Sequence, residues 1–112
     1  ADRLIVGENY PIEIESLEPQ QEDPNSFHFQ RIPLVPSSAY VSLLDVQTGT
    51  FIPLGPGNTQ EAAATITGNI IRYTVPESKL TTPGDYKVFV RVVYPDGRIK
   101  IDLRKVKVIG RL

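Results

Sequence analysis

The chain has 112 residues, enough for one domain that buries roughly two-thirds of its unfolded surface without a metal or a disulfide. Hydrophobic residues make up 40% and there is no cysteine, methionine or tryptophan, which supports a core and excludes thiol catalysis, iron–sulfur clusters and disulfides. Twelve basic against thirteen acidic residues leave a net charge of −1, so no overall field draws the chain to nucleic acid or an anionic membrane.

Thirty valine, isoleucine and threonine residues against fourteen alanine and leucine favour strands over helices. Residues 2–7 and 10–16 predict a first strand, or one broken by Gly7 and Pro11. In its second part Ile12 and Ile14 alternate with Glu13 and Glu15, a half-buried strand with an acidic outer face. From 17 to 38 the pattern collapses among Pro19, Pro24, Pro33 and Pro36, which predicts a long loop or arm with a short extended piece at 27–32. Residues 39–46 predict a central strand, with Tyr40, Ser42 and Leu44 on one face and Val41 and Leu43 on the other. Gln47-Thr48-Gly49 turns it into a return strand at 50–54, and Gly68-Asn69 joins two further strands at 62–67 and 70–75.

The last third alternates most cleanly. Over 86–94, Tyr86, Val88, Val90, Val92 and Tyr94 share one face, and Lys87, Phe89, Arg91 and Val93 share the other. Pro95-Asp96-Gly97 supplies the turn, with Asp96 and Gly97 as its structural residues. The return at 98–103 is expected to place Ile99, Ile101 and Leu103 inward and Arg98, Lys100 and Asp102 outward. At Arg104-Lys105 the parity changes and Val106 and Val108 take over the apolar face, which predicts a bulge or a switch between sheets. Seven to eight short strands with turn signals every 8–12 residues describe an all-β sandwich, one domain over 1–112.

With the strands placed, residues 39–109 resemble the immunoglobulin-like domain of phage baseplate upper proteins and other phage tail structural proteins. The features that carry the resemblance are Tyr40-Val-Ser-Leu-Leu-Asp45 followed by Thr48-Gly49, then Gly68-Asn69-Ile70-Ile71-Arg72-Tyr73, then Leu80-Thr-Thr-Pro-Gly84-Asp85-Tyr86, and the hairpin Tyr94-Pro95-Asp96-Gly97-Arg98. Pro-Gly-x-Tyr before a long strand gives Gly84 and Tyr86 structural roles, Tyr86 as a tyrosine that hydrogen-bonds back across the corner. The resemblance implies assembly and transfers no catalytic residue.

Charge is segregated along the chain. Residues 1–30 hold seven acidic residues against Arg3, whereas 98–112 hold six basic residues against Asp102. One expectation is that Glu13 and Glu15 face Lys105 and Lys107 across a ladder. The other is that the two surfaces lie on different sides and meet between subunits, head to tail. Phe27-His28-Phe29 in the proline-rich segment is either a short edge strand over the core or an arm that docks its aromatics into a neighbour. The acidic residues show no calcium-loop spacing, and no nucleophile motif surrounds His28 or the serines.

The function expected from sequence is therefore a non-enzymatic structural protein of a phage virion. It would contact other virion proteins and itself in the tail, baseplate or neck, or decorate the capsid, after assembly in the host cytoplasm. Interface candidates are Phe27, His28, Phe29, Glu13, Glu15, Lys105 and Lys107. No cofactor, metal or membrane contact is expected, and neither nucleic acid nor a small-molecule ligand. The second reading is a carbohydrate-binding or adhesive immunoglobulin-like module of a bacterial surface protein, supported by Phe89 on an otherwise polar face.

Overall fold

Every stretch with period-two alternation pairs as a strand. The fold is taken from a computed structural model that describes residues 2–19 and 31–110. The strands in chain order are β1 (Asp2–Ile5), β2 (Tyr10–Glu15), β3 (Leu17–Pro19), β4 (Arg31–Pro33), β5 (Ser38–Asp45), β6 (Thr50–Ile52), β7 (Ala62–Ala63), β8 (Thr65–Thr67), β9 (Ile70–Val75), β10 (Gly84–Val93) and β11 (Ile99–Ile109). The larger sheet runs β1-β11-β10-β5-β6, with β7 also on β5, and the smaller runs β2-β9-β8.

The two sheets close over one core. β5 contributes Ala39, Val41 and Leu43, β10 contributes Tyr86, Val88, Val90 and Val92, and β11 contributes Val106 and Val108. The small sheet answers with Tyr10 and Ile12 from β2 and Ile71 and Val75 from β9. These are the alternate residues of each strand, as a half-buried pleat requires. Burial of such side chains, each worth about 1.5–3 kcal/mol, holds the layers together.

Two of the crossings between the sheets are made within a few residues, and neither lies at the place expected. Between β1, which pairs parallel to β11, and β2, which pairs with β9, the chain crosses through Gly7 at φ 100°. Between β7 on β5 and β8 on β9 it crosses at Ala64, whose N–H still donates to the Ala39 carbonyl at 2.9 Å. The expected single strand over 62–67 is thus divided between the sheets. At 104–105 there is neither a bulge nor a switch: β10 and β11 pair in unbroken register from Gly84↔Val108 to Val93↔Ile99. Because Val92 faces the core opposite Lys100, the even-numbered residues of β11 point inward, and Ile99, Ile101 and Leu103 point outward. Their predicted inward placement is corrected on this ground.

The base of the proline-rich segment is ordered as a ladder, with Leu17 opposite Pro33 and Pro19 opposite Arg31. The Ser16 hydroxyl and the Tyr94 hydroxyl meet at 2.8 Å and fasten this base to the end of β10.

Candidate interaction surface

The side of the larger sheet that faces away from the core collects the exposed apolar residues. Among the described residues, six of the eight large apolar side chains that reach solvent lie there: Ile5, Phe51, Ile99, Ile101, Leu103 and Ile109. That concentration on one face separates the surface from ordinary scattered exposure. Cross-strand neighbours make it continuous, with Leu103 opposite Phe89, Phe89 opposite Ser42, and Leu44 opposite Phe51. The Phe51 and Phe89 rings are 6.1 Å apart and tilted by 50°, an edge-biased contact. Phe89 therefore stands in an apolar patch, and the expected polar surroundings are corrected.

A polar anchor interrupts the patch. The Arg91 guanidinium lies 4.6 Å over the Tyr40 ring and donates to both Glu61 carboxylate oxygens, at 3.0 and 3.1 Å. These hydrogen bonds, first of all, hold Arg91 charged beyond its ordinary range. A fixed, stacked guanidinium beside exposed aromatics suits contact with a protein surface.

Along one side of the patch the sheet has an edge that described strands cover only in part. The Tyr94 N–H donates to the Arg98 carbonyl at 2.9 Å, so Arg98, Lys100, Asp102 and Arg104 direct their backbone groups to β10. Ile99, Ile101, Leu103 and Lys105 direct theirs the other way. β1 covers that edge only from Val106 to Ile109, and no other described strand joins it.

The charged residues singled out in the sequence lie apart. Glu13 and Glu15 are on the outer face of the small sheet, where Glu13 accepts from Arg72 at 2.9 Å and Glu15 is opposite Ile70. Lys105 and Lys107 are on the outer face of the large sheet, Lys105 opposite Lys87, and Lys107 between Arg3 and Asp85. The expected cross-ladder pairing of Glu13 and Glu15 with Lys105 and Lys107 is corrected, because β2 and β11 belong to different sheets. A hollow of about 240 Å3 beside Lys87 and Lys105 is lined also by Val46, Asp85, Tyr86 and Val106. Phe27, His28 and Phe29 lie outside the described residues.

The structural residues have definite geometry. Tyr86 is buried, and its hydroxyl donates to the Thr82 carbonyl at 2.6 Å, bracing the entry to β10. Gly84 has φ 146°, and a Cβ there would come within 2.5 Å of the Gln47 side chain. Gly97 has φ 88° in the turn before β11. Asp96 accepts from the Arg98 N–H at 3.0 Å, and that hydrogen bond is the main reason its carboxyl is held below the usual range. Sequence reasoning missed Tyr10, a buried residue whose hydroxyl donates to Asp2; burial foremost, then Asp2, pushes the phenol up to about 12.

The signal for the outward face was present in the turn. A three-residue loop closed by Tyr94 and Arg98 puts both on one face, so an inward Tyr94 obliges Ile99, Ile101 and Leu103 to point out.

No family model matches the chain, and no curated protein matches it. Its fold is similar to that of CopC from Methylosinus trichosporium OB3b, with a TM-score of 0.57 and 18% identity over 99% of this chain and 85% of that one. The likeness shows an immunoglobulin-like β-sandwich. It also overturns the expectation of a phage virion component in a tail, baseplate, neck or capsid, since the fold match is to CopC. The physical reason is that Thr48-Gly49, Gly68-Asn69, Pro83-Gly84 and Pro95-Asp96-Gly97 make turns and corners that any antiparallel sandwich needs. They set chain direction in any such sandwich and so do not single out a phage protein.

Proposed function

We propose that this chain is a non-enzymatic assembly module that works through a protein–protein contact on the outer face of its larger sheet. The observation that carries the reading is the clustering there of Phe51, Ile99, Ile101 and Leu103, each between 42% and 62% exposed. Leaving this much apolar surface in water is unfavourable, and covering it with a partner recovers that free energy. Arg91, stacked and doubly hydrogen-bonded, adds a rigid polar contact inside the patch.

Copper is the competing idea, because CopC is a copper-binding protein. Protein copper sites draw on thiolate and thioether donors for Cu(I) and on imidazole with other nitrogen and oxygen donors for Cu(II). This chain has no cysteine or methionine and one histidine, and its described residues contain no group of three or more histidine, aspartate or glutamate side chains placed to hold an ion. The described residues therefore offer no copper site, and no copper chemistry is carried over.

The test is site-specific photo-crosslinking in the producing cells. A photoreactive residue at Ile101 is expected to give a discrete protein adduct, and one at Thr65, exposed on the small sheet, is expected to give none. Equal labelling from both positions, or no protein adduct from Ile101, overturns the reading.

A further inference from the structure

We propose that a second copy of this chain joins by antiparallel pairing of the two β11 edges about Ile101, which makes the two larger sheets one and their apolar outer faces continuous. The proposal rests on the assembly reading and adds a partner at the rim of that face. The backbone groups of Ile99, Ile101 and Leu103 point away from β10 and have no partner among the described residues. β1 is described from Asp2 beside Val106, and no described strand lies alongside residues 99–104 on that side. An open edge of this kind, flanked by exposed isoleucine and leucine, is a template for another strand.

Charge selects the register. Two edges related by a twofold axis can centre on only a few residues. Centring on Lys100 sets Lys100 against its own copy, and centring on Asp102 sets Asp102 against its own copy. Centring on Ile99 puts Arg98 opposite Lys100 twice. Centring on Leu103 would place Ile99 opposite Lys107, a position that β1 already holds through Arg3. Centring on Ile101 puts Lys100 opposite Asp102 twice, Ile101 opposite itself and Ile99 opposite Leu103. Opposite charges across a ladder stabilise it and like charges weaken it.

In this register the three outward residues of each copy supply about six new backbone hydrogen bonds, two for each narrow pair. Arg98 then faces Arg104, but each has a nearby carboxylate: Asp96 bonds Arg98, and Asp102 lies 3.9 Å from Arg104. The contact is a short one, so a weak dimer with a dissociation constant of about micromolar order is expected.

Sedimentation equilibrium over a protein concentration series at low salt tests this on five proteins: the unaltered chain, Ile101→Pro, Lys100→Asp, Asp102→Lys and the double reversal. Proline at 101 removes only a donor that faces the open edge, so the β10 ladder survives. The unaltered chain is expected to interconvert between monomer and dimer, and Ile101→Pro to stay monomeric. Each single reversal should weaken association about tenfold and the double reversal should restore it, because like charges then oppose only in the singles. If Ile101→Pro fails to fold, the charge series decides alone.

A monomeric unaltered chain at every concentration overturns the proposal, and so does a double reversal as weak as the singles. A monomer whose position 101 still crosslinks to a different protein removes self-pairing and leaves the assembly reading. A monomer with no adduct removes both.

Discussion

Truncating Ile101 to alanine separates the outward placement of β11 from the inward one. Ile101 is 62% exposed, so roughly two-fifths of the three carbons removed are out of water, which at about 0.8 kcal/mol per buried methylene gives about 1 kcal/mol. Val106, on the same strand, is 2% exposed; its change to alanine removes two fully buried carbons and leaves a void, for about 2–3 kcal/mol. At about 4–8 °C per kcal/mol for a domain near this size, Ile101→Ala should lower Tm by about 4–8 °C and Val106→Ala by about 8–24 °C. Urea and thermal unfolding followed by circular dichroism measure both. The protein should be dilute, so that dissociation of a dimer does not enter the apparent stability. An Ile101→Ala loss equal to or larger than that of Val106→Ala would place Ile101 inside and refute the register on which the surface and its edge depend.

Tyr86→Phe removes the hydroxyl that donates to Thr82 and leaves that carbonyl without its partner, at about 1–2 kcal/mol. A urea midpoint that falls with the slope unchanged is the expected result, and an unchanged midpoint contradicts the bracing role. Tyr10 ties stability to alkaline pH. Its folded pKa, about 12, lies above the ordinary 10, so the neutral phenol is the form the fold favours. That contribution, roughly 2–3 kcal/mol, is fully present below pH 10 and is lost as pH rises from 10 to 12. Tyr10→Phe should therefore show a shallower fall in unfolding free energy over that range, and a fall as steep as the unaltered chain's counts against the assignment.

Much of the local structure was legible in the sequence because it depends on near neighbours. Alternation over 39–44 and 86–94 identified which residues share a face, and Val41, Leu43, Val88 and Val90 are all buried. Gly68-Asn69 and Pro95-Asp96-Gly97 marked the turns of the β8–β9 and β10–β11 hairpins. The candidate surface is not legible in the sequence beyond Phe89. Ile99, Ile101 and Leu103 look like core residues because hydrophobic residues usually point in, and with a polar outer face assumed the change of parity at Arg104-Lys105 reads as a bulge. The hairpin closure through Tyr94 and Arg98 decides against the bulge once it is imposed along the strand.

What the sequence by itself determined is strand content, the turns that join strands and the partition of each strand into two faces. These follow from steric preferences of β-branched residues and the two-residue pleat repeat, both local. Only the tertiary structure decided which face lies inside, which strands share a sheet, and that β1 runs parallel to β11 along one half of it, with no described strand beside the other on that edge. Those outcomes depend on pairing between residues as far apart as Asp2 and Val106, and period two is identical for a strand turned either way. The near-neutral total charge followed the same division: acidic Glu13 and Glu15 lie on one outer face and basic Lys105 and Lys107 on the other, since β2 and β11 belong to opposite sheets.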